Sequence, residues 1–338
     1  MLARGTLPAS EAQVVRALPA MRVSVIVPLY NKAKYIGTCL NSVAAQGLQD
    51  FEVLVVDDGS TDGGARIAET WPDRRFRVIR QANAGPGAAR NRGIREARGE
   101  YVAFLDADDC WLPDFLETNV GLLDENPSAA CVSGGWIDYP AGAPSSRPWS
   151  TRGISQGLHR ISAGTPVRLL AVMVTYMTPP TTLVRAAVLR EVGGFHEDGC
   201  RFAEDTALWL KLLLNFPVYH HLQPLTELHR EASELSGNYT GPRPIEPFLS
   251  NPRALDELCP RELRPLLTRF HALRACKTAC MLGYWGEWRK AGRLVSRFVS
   301  LRDWRTPLFL PALAAGTPLG ALVGHLLRAV RGAAARPR

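Results

Sequence analysis

Three apolar runs in the first third of the chain each stop abruptly at polar or acidic residues. They are Arg22–Tyr30 (RVSVIVPLY), Phe51–Asp58 (FEVLVVDD) and Tyr101–Asp109 (YVAFLDADD). Runs this rich in β-branched and aromatic residues prefer the buried, pleated surface of a sheet. A further strand is predicted at 76–80, and helical patterns fall between the runs at 34–46, 63–70 and 86–98, with another at 113–125. That alternation is the signature of a parallel α/β sheet. Ligands of such sheets bind beyond the carboxyl ends of the strands. Pro28–Asn31, Asp57-Asp58 and Asp106–Asp109 are therefore expected along one edge, where a nucleotide site would lie.

The third run is the most specific. Asp106, Asp108 and Asp109 fall within four residues, and strand alternation lets Asp106 and Asp108 point the same way. Carboxylates that close repel unless a positive charge sits between them. A hard divalent cation, Mn²⁺ or Mg²⁺, meets that need, and Mg²⁺ sites use one or two carboxylates plus substrate phosphates. The competing reading is an acidic turn capping the helix that starts near Pro113. A dinucleotide-binding fold is disfavoured: its glycine fingerprint belongs at the first strand-to-helix turn. That turn reads PLYNKAKYIG, while the glycine-rich GPGAARNRG follows the 76–80 strand.

Four segments carry a family resemblance. VSVIVPLYNKAKYIGTCLNSVAAQ (23–46), FEVLVVDDGSTDGG (51–64), NAGPGAARNRGIREARGEYVAFLDADDCWLP (83–113) and GGFHEDGCRFAEDTALWLKL (193–212) stand in order across most of residues 22–230. Together they resemble glycosyltransferase family 2, the inverting, sugar-nucleotide-dependent enzymes of GT-A fold. The resemblance implies a Rossmann-like mixed sheet flanked by helices, with a helical extension behind it. Three regions are expected: a tail (1–20), a catalytic domain (21–240), and a basic, partly apolar helical region (241–338).

The resemblance also assigns roles. Asp106 and Asp108 match the DxD motif: Asp108 would bind the metal bridging the donor diphosphate, with Asp106 near the ribose or the metal's water shell. The metal would act as a Lewis acid on the departing nucleoside diphosphate. Asp58 would accept a hydrogen bond from the base, with Asp57 on the ribose or neighbouring backbone. Pro28, Tyr30 and Asn31 would line the base pocket, Tyr30 by stacking unless it is a buried structural residue. Arg90 would contact base or diphosphate, the alternative being an ion pair with Asp57 or Asp58; Asn83 and Gly85 would shape the loop. Glu204-Asp205 matches the ED motif, in which the Asp is the general base, here with an ordinary carboxylate pKa near 3.9. Glu204 would orient the acceptor. His229, with Arg230 beside it, is the candidate for closing on the diphosphate or metal, although the following Ser233 and Ser236 keep the usual spacing only loosely.

The rest of the chain is less specific. Residues 251–338 hold 16 Lys or Arg against 5 Asp or Glu, whereas the remainder holds 24 against 27, so the net +8 comes from the C-terminal quarter. Thr306–Leu327 has no charged residue and is near the ~20 residues of a membrane span. Pro307, Pro311 and Pro318 argue against one straight span, and Trp304-Arg305 with Arg328 and Arg331 resemble interfacial anchors. Peripheral or re-entrant membrane contact, helices packed on the catalytic domain, and a span all stay open. No basic-aromatic nucleic-acid motif is present. Seven cysteines without a CxxC pair suit a reducing compartment, and residues 1–20 lack a continuous apolar stretch. A cytoplasmic protein, peripheral on the membrane's cytoplasmic face, is expected. Residues 140–165 read as a long loop over an acceptor, and His220-His221 as part of a strand or sheet edge.

The function expected is transfer of a sugar from a nucleoside-diphosphate donor, UDP-linked, to a hydroxyl of a saccharide or lipid-linked acceptor in envelope glycan synthesis. A nucleotidyltransferase would need a basic pyrophosphate loop near the first strand, which is missing. A non-catalytic sugar-nucleotide binder need not keep both DADD and AED.

Overall fold

The computed structural model describes residues 21–197, 202–232, 241–303, 305–320, 322–325 and 327. The expected tail, Ser233, Ser236, Trp304, Arg328 and Arg331 lie outside the described residues. The strands are β1 (Val23–Leu29), β2 (Phe51–Asp57), β3 (Phe76–Arg80), β4 (Tyr101–Phe104), β5 (Cys110–Trp111), β6 (Cys131–Tyr139), β7 (Ala143–Pro144), β8 (Gly157–His159), β9 (Thr182–Arg185) and β10 (Val218–His229). The helices before residue 220 are α1 (Ile36–Ala44), α2 (Gly64–Glu69), α3 (Pro86–Glu96), α4 (Phe115–Glu125), α5 (Ser146–Ser150), α6 (Val167–Tyr176), α7 (Ala186–Val192) and α8 (Glu204–Asn215). After it come α9 (Pro247–Ser250), α10 (Arg253–Leu258), α11 (Arg264–Tyr284), α12 (Trp288–Phe298) and α13 (Phe309–Ala315).

The strands form one mixed sheet in the order β3-β2-β1-β4-β9-β6-β10-β5. The β3-β2-β1-β4 half is parallel, β9 runs antiparallel to both β4 and β6, and β10 is parallel to β6. Side-chain alternation divides the core into two layers. Val25, Val27, Val53, Val55 and Ala103 join Ile36, Leu40 and Phe115 of α1 and α4 on one face. Ile26, Leu54, Val56, Val102 and Phe104 join Ala89 of α3 and Trp209 of α8 on the other. Each fully buried large side chain of this kind contributes about 1.5–3 kcal/mol. Strands buried on both faces explain why β1, β2 and β4 read as continuous apolar runs.

The second layer continues into the C-terminal region, where Phe270, Cys276, Ala279, Ala291 and Ala312 belong to the same apolar cluster as Ile26. The prolines limit α13 to seven residues; it buries Phe309, Ala312 and Ala315 and packs on α11 and α12. Among the described residues no helix is long and apolar enough to cross a membrane.

Two local expectations change. Residues 140–165 are not structureless: β7 pairs with β6 and β8 with β10, because backbone groups beside a sheet edge gain partners there. His220 and His221 lie in strand β10, as the strand reading expected; both are buried, His220 pairs with Ser133 of β6 on one side and Gly157 of β8 on the other, and His221 Nε2 meets Asn119 Oδ1 at 3.0 Å. Asp109 caps no helix; α4 starts after Asp114.

Candidate active site

The carboxyl ends of β1, β2 and β4, the start of α8 and the end of β10 surround one cavity of about 390 Å³, within the usual range for small-molecule sites. Pro28, Tyr30 and Asp58 line one end of it. Tyr30 is 41 % exposed, so it is not a core tyrosine and its ring face is available to a ligand. Asp58 is buried, and its carboxylate organises the loop ahead of α3. Oδ1 accepts from the Ala84 N–H and Gln81 Nε2, and Oδ2 from the Gly85 N–H, all at 2.8 Å. Gly85 has φ +94°, a conformation that favours glycine. Three donors leave the carboxylate able to accept one more.

Asn31 and Asp57 stand behind this wall rather than in the cavity lining. Asn31 Oδ1 accepts the Thr61 N–H at 2.8 Å, and Asp57 Oδ1 accepts the Ser60 N–H at 3.0 Å. Both brace the turn after β2, as the backbone alternative for Asp57 anticipated.

Arg90 joins two motifs that the chain places far apart. Its guanidinium, 5 % exposed, donates through Nη2 to Asp106 Oδ1 at 2.6 Å and through Nη1 to Glu204 Oε1 at 2.8 Å. Burial works against its charge, but Asp106 and Glu204 outweigh that and raise its pKa. The alternative pairing with Asp57 or Asp58 does not occur, because Asp58 is engaged by the loop amides and Asp57 by Ser60.

Glu204 and Asp205 open α8, entered through Ala203 at φ +55°, and both line the cavity. Asp205 is not an ordinary carboxylate. Burial, then the neighbouring Glu204, push its pKa up to about 6, against an opposing pull from Arg90. A carboxylate so raised is a better proton acceptor near neutral pH.

Asp108 Oδ2 meets Lys32 Nζ at 2.9 Å, and Lys32 also donates to the Ala232 carbonyl at 2.5 Å. Burial and Asp106 raise the Asp108 pKa, with Lys32 opposing. Asp109 is pushed well above the usual carboxylate range by burial, Asp106 and Asp108, and its Oδ1 accepts the His229 N–H at 2.8 Å. The His229 ring stacks on Tyr139 at 4.3 Å, and its Nδ1 lies 3.2 Å from Glu231 Oε1. Arg230 Nε pairs with Asp138 at 2.9 Å. Among the described residues no three His, Cys, Asp or Glu side chains are gathered to hold a metal. Asp106, Asp108 and His229 share the cavity without forming such a set, since Arg90, Lys32 and Tyr139 with Glu231 engage them. Asp108, crowded by Asp106, nonetheless suits a cation whose remaining ligands are donor phosphates and water.

Lys32 was not singled out from the sequence beyond its polar turn. The usable signal was a lysine directly after a strand whose neighbours end in carboxylates.

The whole-chain architecture is that of GT-A glycosyltransferases. The crystal structure of Staphylococcus aureus TarS residues 1–349 in complex with UDP-GlcNAc aligns with a TM-score of 0.56 at 24 % identity, covering 91 % of this chain and 88 % of that one. The mannosyltransferase PcManGT of Pyrobaculum calidifontis, in complex with GDP-Man and Mn²⁺, aligns with a TM-score of 0.51 at 20 % identity, covering 91 % and 87 %.

The family model for glycosyl transferase family 2 matches residues 24–193, half of the chain, and the chain belongs to that family. The putative glycosyltransferase EpsH of Bacillus subtilis is 48 % identical over 97 residues, 28 % of either protein. The poly(ribitol-phosphate) β-N-acetylglucosaminyltransferase TarS of S. aureus is 31 % identical over 230 residues, 66 % of this chain and 38 % of TarS. The matched segments thus span well under half the length of these curated relatives.

Proposed function

We propose that this chain is an inverting glycosyltransferase that moves a sugar from a UDP-sugar to the hydroxyl of a saccharide or lipid-linked acceptor. The observation that carries this reading is the Arg90 bridge, which ties the Asp106 motif to Glu204 beside Asp205 across a single cavity. Tyr30 and Asp58 bind the base, the Asp58 carboxylate accepting the uracil N3–H. Arg90 holds Asp106 in place towards the ribose and diphosphate. Lys32, which lines the same cavity, would offset charge on the diphosphate. Asp205 accepts the proton of the acceptor hydroxyl as its oxygen bonds to the anomeric carbon. The bond from that carbon to the diphosphate oxygen breaks in the same displacement, and UDP leaves with the electron pair. Attack opposite the leaving group converts an α-linked donor into a β-linked product.

A divalent cation, Mn²⁺ or Mg²⁺, held by Asp108 with Asp106 close by, would stabilise the charge on the departing diphosphate. His229, which lines the same cavity, would stand near that cation. The uridine nucleotide is supported by the TarS structure holding UDP-GlcNAc, and a hydroxyl-bearing polymer as acceptor by the poly(ribitol-phosphate) in the TarS name.

The C-terminal surface supports work at the cytoplasmic face of a membrane. Leu301 and Leu310 are 84 % and 72 % exposed, Leu319, Leu322 and Val323 are also exposed, and the region's net charge is basic. Exposed apolar side chains with basic neighbours favour peripheral attachment to anionic lipid. Flotation with anionic liposomes should carry the protein upward; recovery only in the aqueous fraction would remove this part of the reading.

The donor is tested by a screen for nucleoside diphosphate release from UDP-, GDP- and dTDP-sugars with Mn²⁺ or Mg²⁺. Turnover of a UDP-sugar is expected. Turnover confined to GDP- or dTDP-sugars would reassign the nucleotide.

A further inference from the structure

Tyr139 ends β6 and His229 ends β10, and the parallel register sets the two residues side by side. Their rings stack with centroids 4.3 Å apart and planes inclined by 23°. His229 lines the donor cavity, whereas Tyr139 stands just outside that lining and is 45 % exposed. His229 covers one face of the tyrosine ring, so the exposed area belongs to the other face and the rim. A singly exposed tyrosine is ordinary. This one differs in how it is held and in what flanks it.

The backbone carrying it is tied on both sides, because Asp138 pairs with Leu228 of β10 and with Ala143 of β7. Beside the ring, Arg230 Nε donates to Asp138 Oδ1 at 2.9 Å, and Trp136 Nε1 donates to the same oxygen at 3.2 Å. Among the described residues, Asp138 Oδ2, the Arg230 Nη groups and the Tyr139 hydroxyl make no hydrogen bond. The ion pair is already compensated, so no charge calls for a counter-ion. What remains is hydrogen-bonding capacity at the edge of an open aromatic face, which suits neutral hydroxyls.

The strand order decides which substrate meets this face. β1, β2, β4, β6 and β10 all run the same way, so their carboxyl ends share one edge of the sheet. Along the order β2-β1-β4-β9-β6-β10, Tyr30 and Asp58 follow β1 and β2 on one side of the Asp106–Asp109 turn, and Tyr139 lies on the other. A group over Tyr139 is thus on the side away from the base pocket.

We propose that Tyr139 is a stacking platform for a pyranose ring of the acceptor, with Asp138 and Arg230 binding hydroxyls at the ring's edge. The inference rests on the glycosyl-transfer reading and deepens it: the acceptor is a saccharide rather than an acyclic polyol. The C–H face of a pyranose lies flat on an aromatic ring while its equatorial hydroxyls point outwards to planar polar groups. An acyclic polyol has no such face. Tyrosine supplies this contact area at little entropic cost. The platform supplies recognition, while the chemistry stays at Asp205.

The test uses the full chain saturated with UDP, so that the donor site is filled. Methyl β-glucopyranoside, cellobiose, chitobiose and maltose are titrated beside ribitol, and saturation-transfer NMR reports both affinity and the ligand protons in contact. At least one pyranoside should bind about tenfold more tightly than ribitol, with saturation strongest at the C–H protons of one ring face. Tyr139→Ala should weaken it about 3–10-fold, whereas Tyr139→Phe, which keeps the ring, should stay within about twofold. Asp138→Ala should weaken it several-fold. Thermal melting verifies that the variants are folded. No binding of any pyranoside, equal affinity for ribitol, or pyranoside binding untouched by folded Tyr139→Ala would overturn the proposal. Any of these in a chain that binds UDP refutes this inference alone. Failure to bind UDP refutes the donor reading instead, and the same titration without nucleotide then decides the platform by itself.

Discussion

Arg90 Nη1 donates to Glu204 Oε1 at 2.8 Å across 114 residues of chain, with both side chains buried. This contact fixes the start of α8 against α3, with Asp205 lining the cavity. Arg90→Ala leaves the Glu204 carboxylate and Asp106 without their cation, a loss of about 3–5 kcal/mol for a buried pair broken on one side. Urea denaturation should show that loss. Arg90→Lys keeps the charge but not the two-pronged geometry, so it should retain most of the stability and still lose turnover.

Asp205 should set the pH dependence. Its carboxyl pKa is raised to about 6, so the rate should climb with pH through about 6 and then level off. Asp205→Asn should lower turnover by about 10²–10⁴-fold while leaving donor affinity intact. The effect on stability has the opposite sense. The folded chain binds this proton more tightly than the unfolded one, so the contribution is complete below the ordinary value of 3.8 and is lost as pH rises through about 6. At pH 8 the Asn variant should therefore melt above wild type, read by calorimetry.

On the proposed reading, Lys32 and a metal ion compete for Asp108. With the ammonium 2.9 Å from Asp108 Oδ2, Mn²⁺ added without nucleotide meets an already compensated carboxylate. Lys32→Gln should bind Mn²⁺ several-fold more tightly in the absence of nucleotide, measured by calorimetry. Unchanged or weaker Mn²⁺ binding would place the metal elsewhere.

Asp109 works through the backbone of His229. Asp109→Ala removes the acceptor of a partly buried N–H and should cost about 1–3 kcal/mol, with a raised KM for the donor as the 228–230 segment loosens. Asp109→Asn keeps an acceptor oxygen and removes a like charge beside Asp106 and Asp108, so it should melt at or above wild type. The pair of thermal melts separates hydrogen bonding from charge.

Much of this arrangement was legible in the chain. β1 and β2 fall within a residue or so of the predicted segments, because strands buried on both faces need unbroken apolar runs, and β3 matches the predicted 76–80 strand. β4 covers only Tyr101–Phe104 of the Tyr101–Asp109 run, because the acidic residues leave the sheet as a turn. β5 was not visible: two residues, Cys110-Trp111, become a strand only because β10 passes beside them. The bracing roles of Asn31 and Asp57 depend on Ser60 and Thr61, whose amides are positioned by the turn rather than by any motif. The shift at Asp205 was missed because burial beside Glu204 is tertiary information. Lys32 was passed over for the same reason: its partner lies 76 positions on, and only the sheet brings them together.

The central claim is that Asp108 and Asp205 act on one bound sugar nucleotide. The most direct measurement is the rate of UDP release from the preferred UDP-sugar by wild type, Asp108→Ala and Asp205→Asn, with UDP affinity measured in parallel. The account predicts metal-dependent release by wild type. It predicts weakened UDP binding and lost turnover in Asp108→Ala, and intact binding with lost turnover in Asp205→Asn. Full turnover in Asp205→Asn, or undiminished UDP binding and turnover in Asp108→Ala, would contradict it.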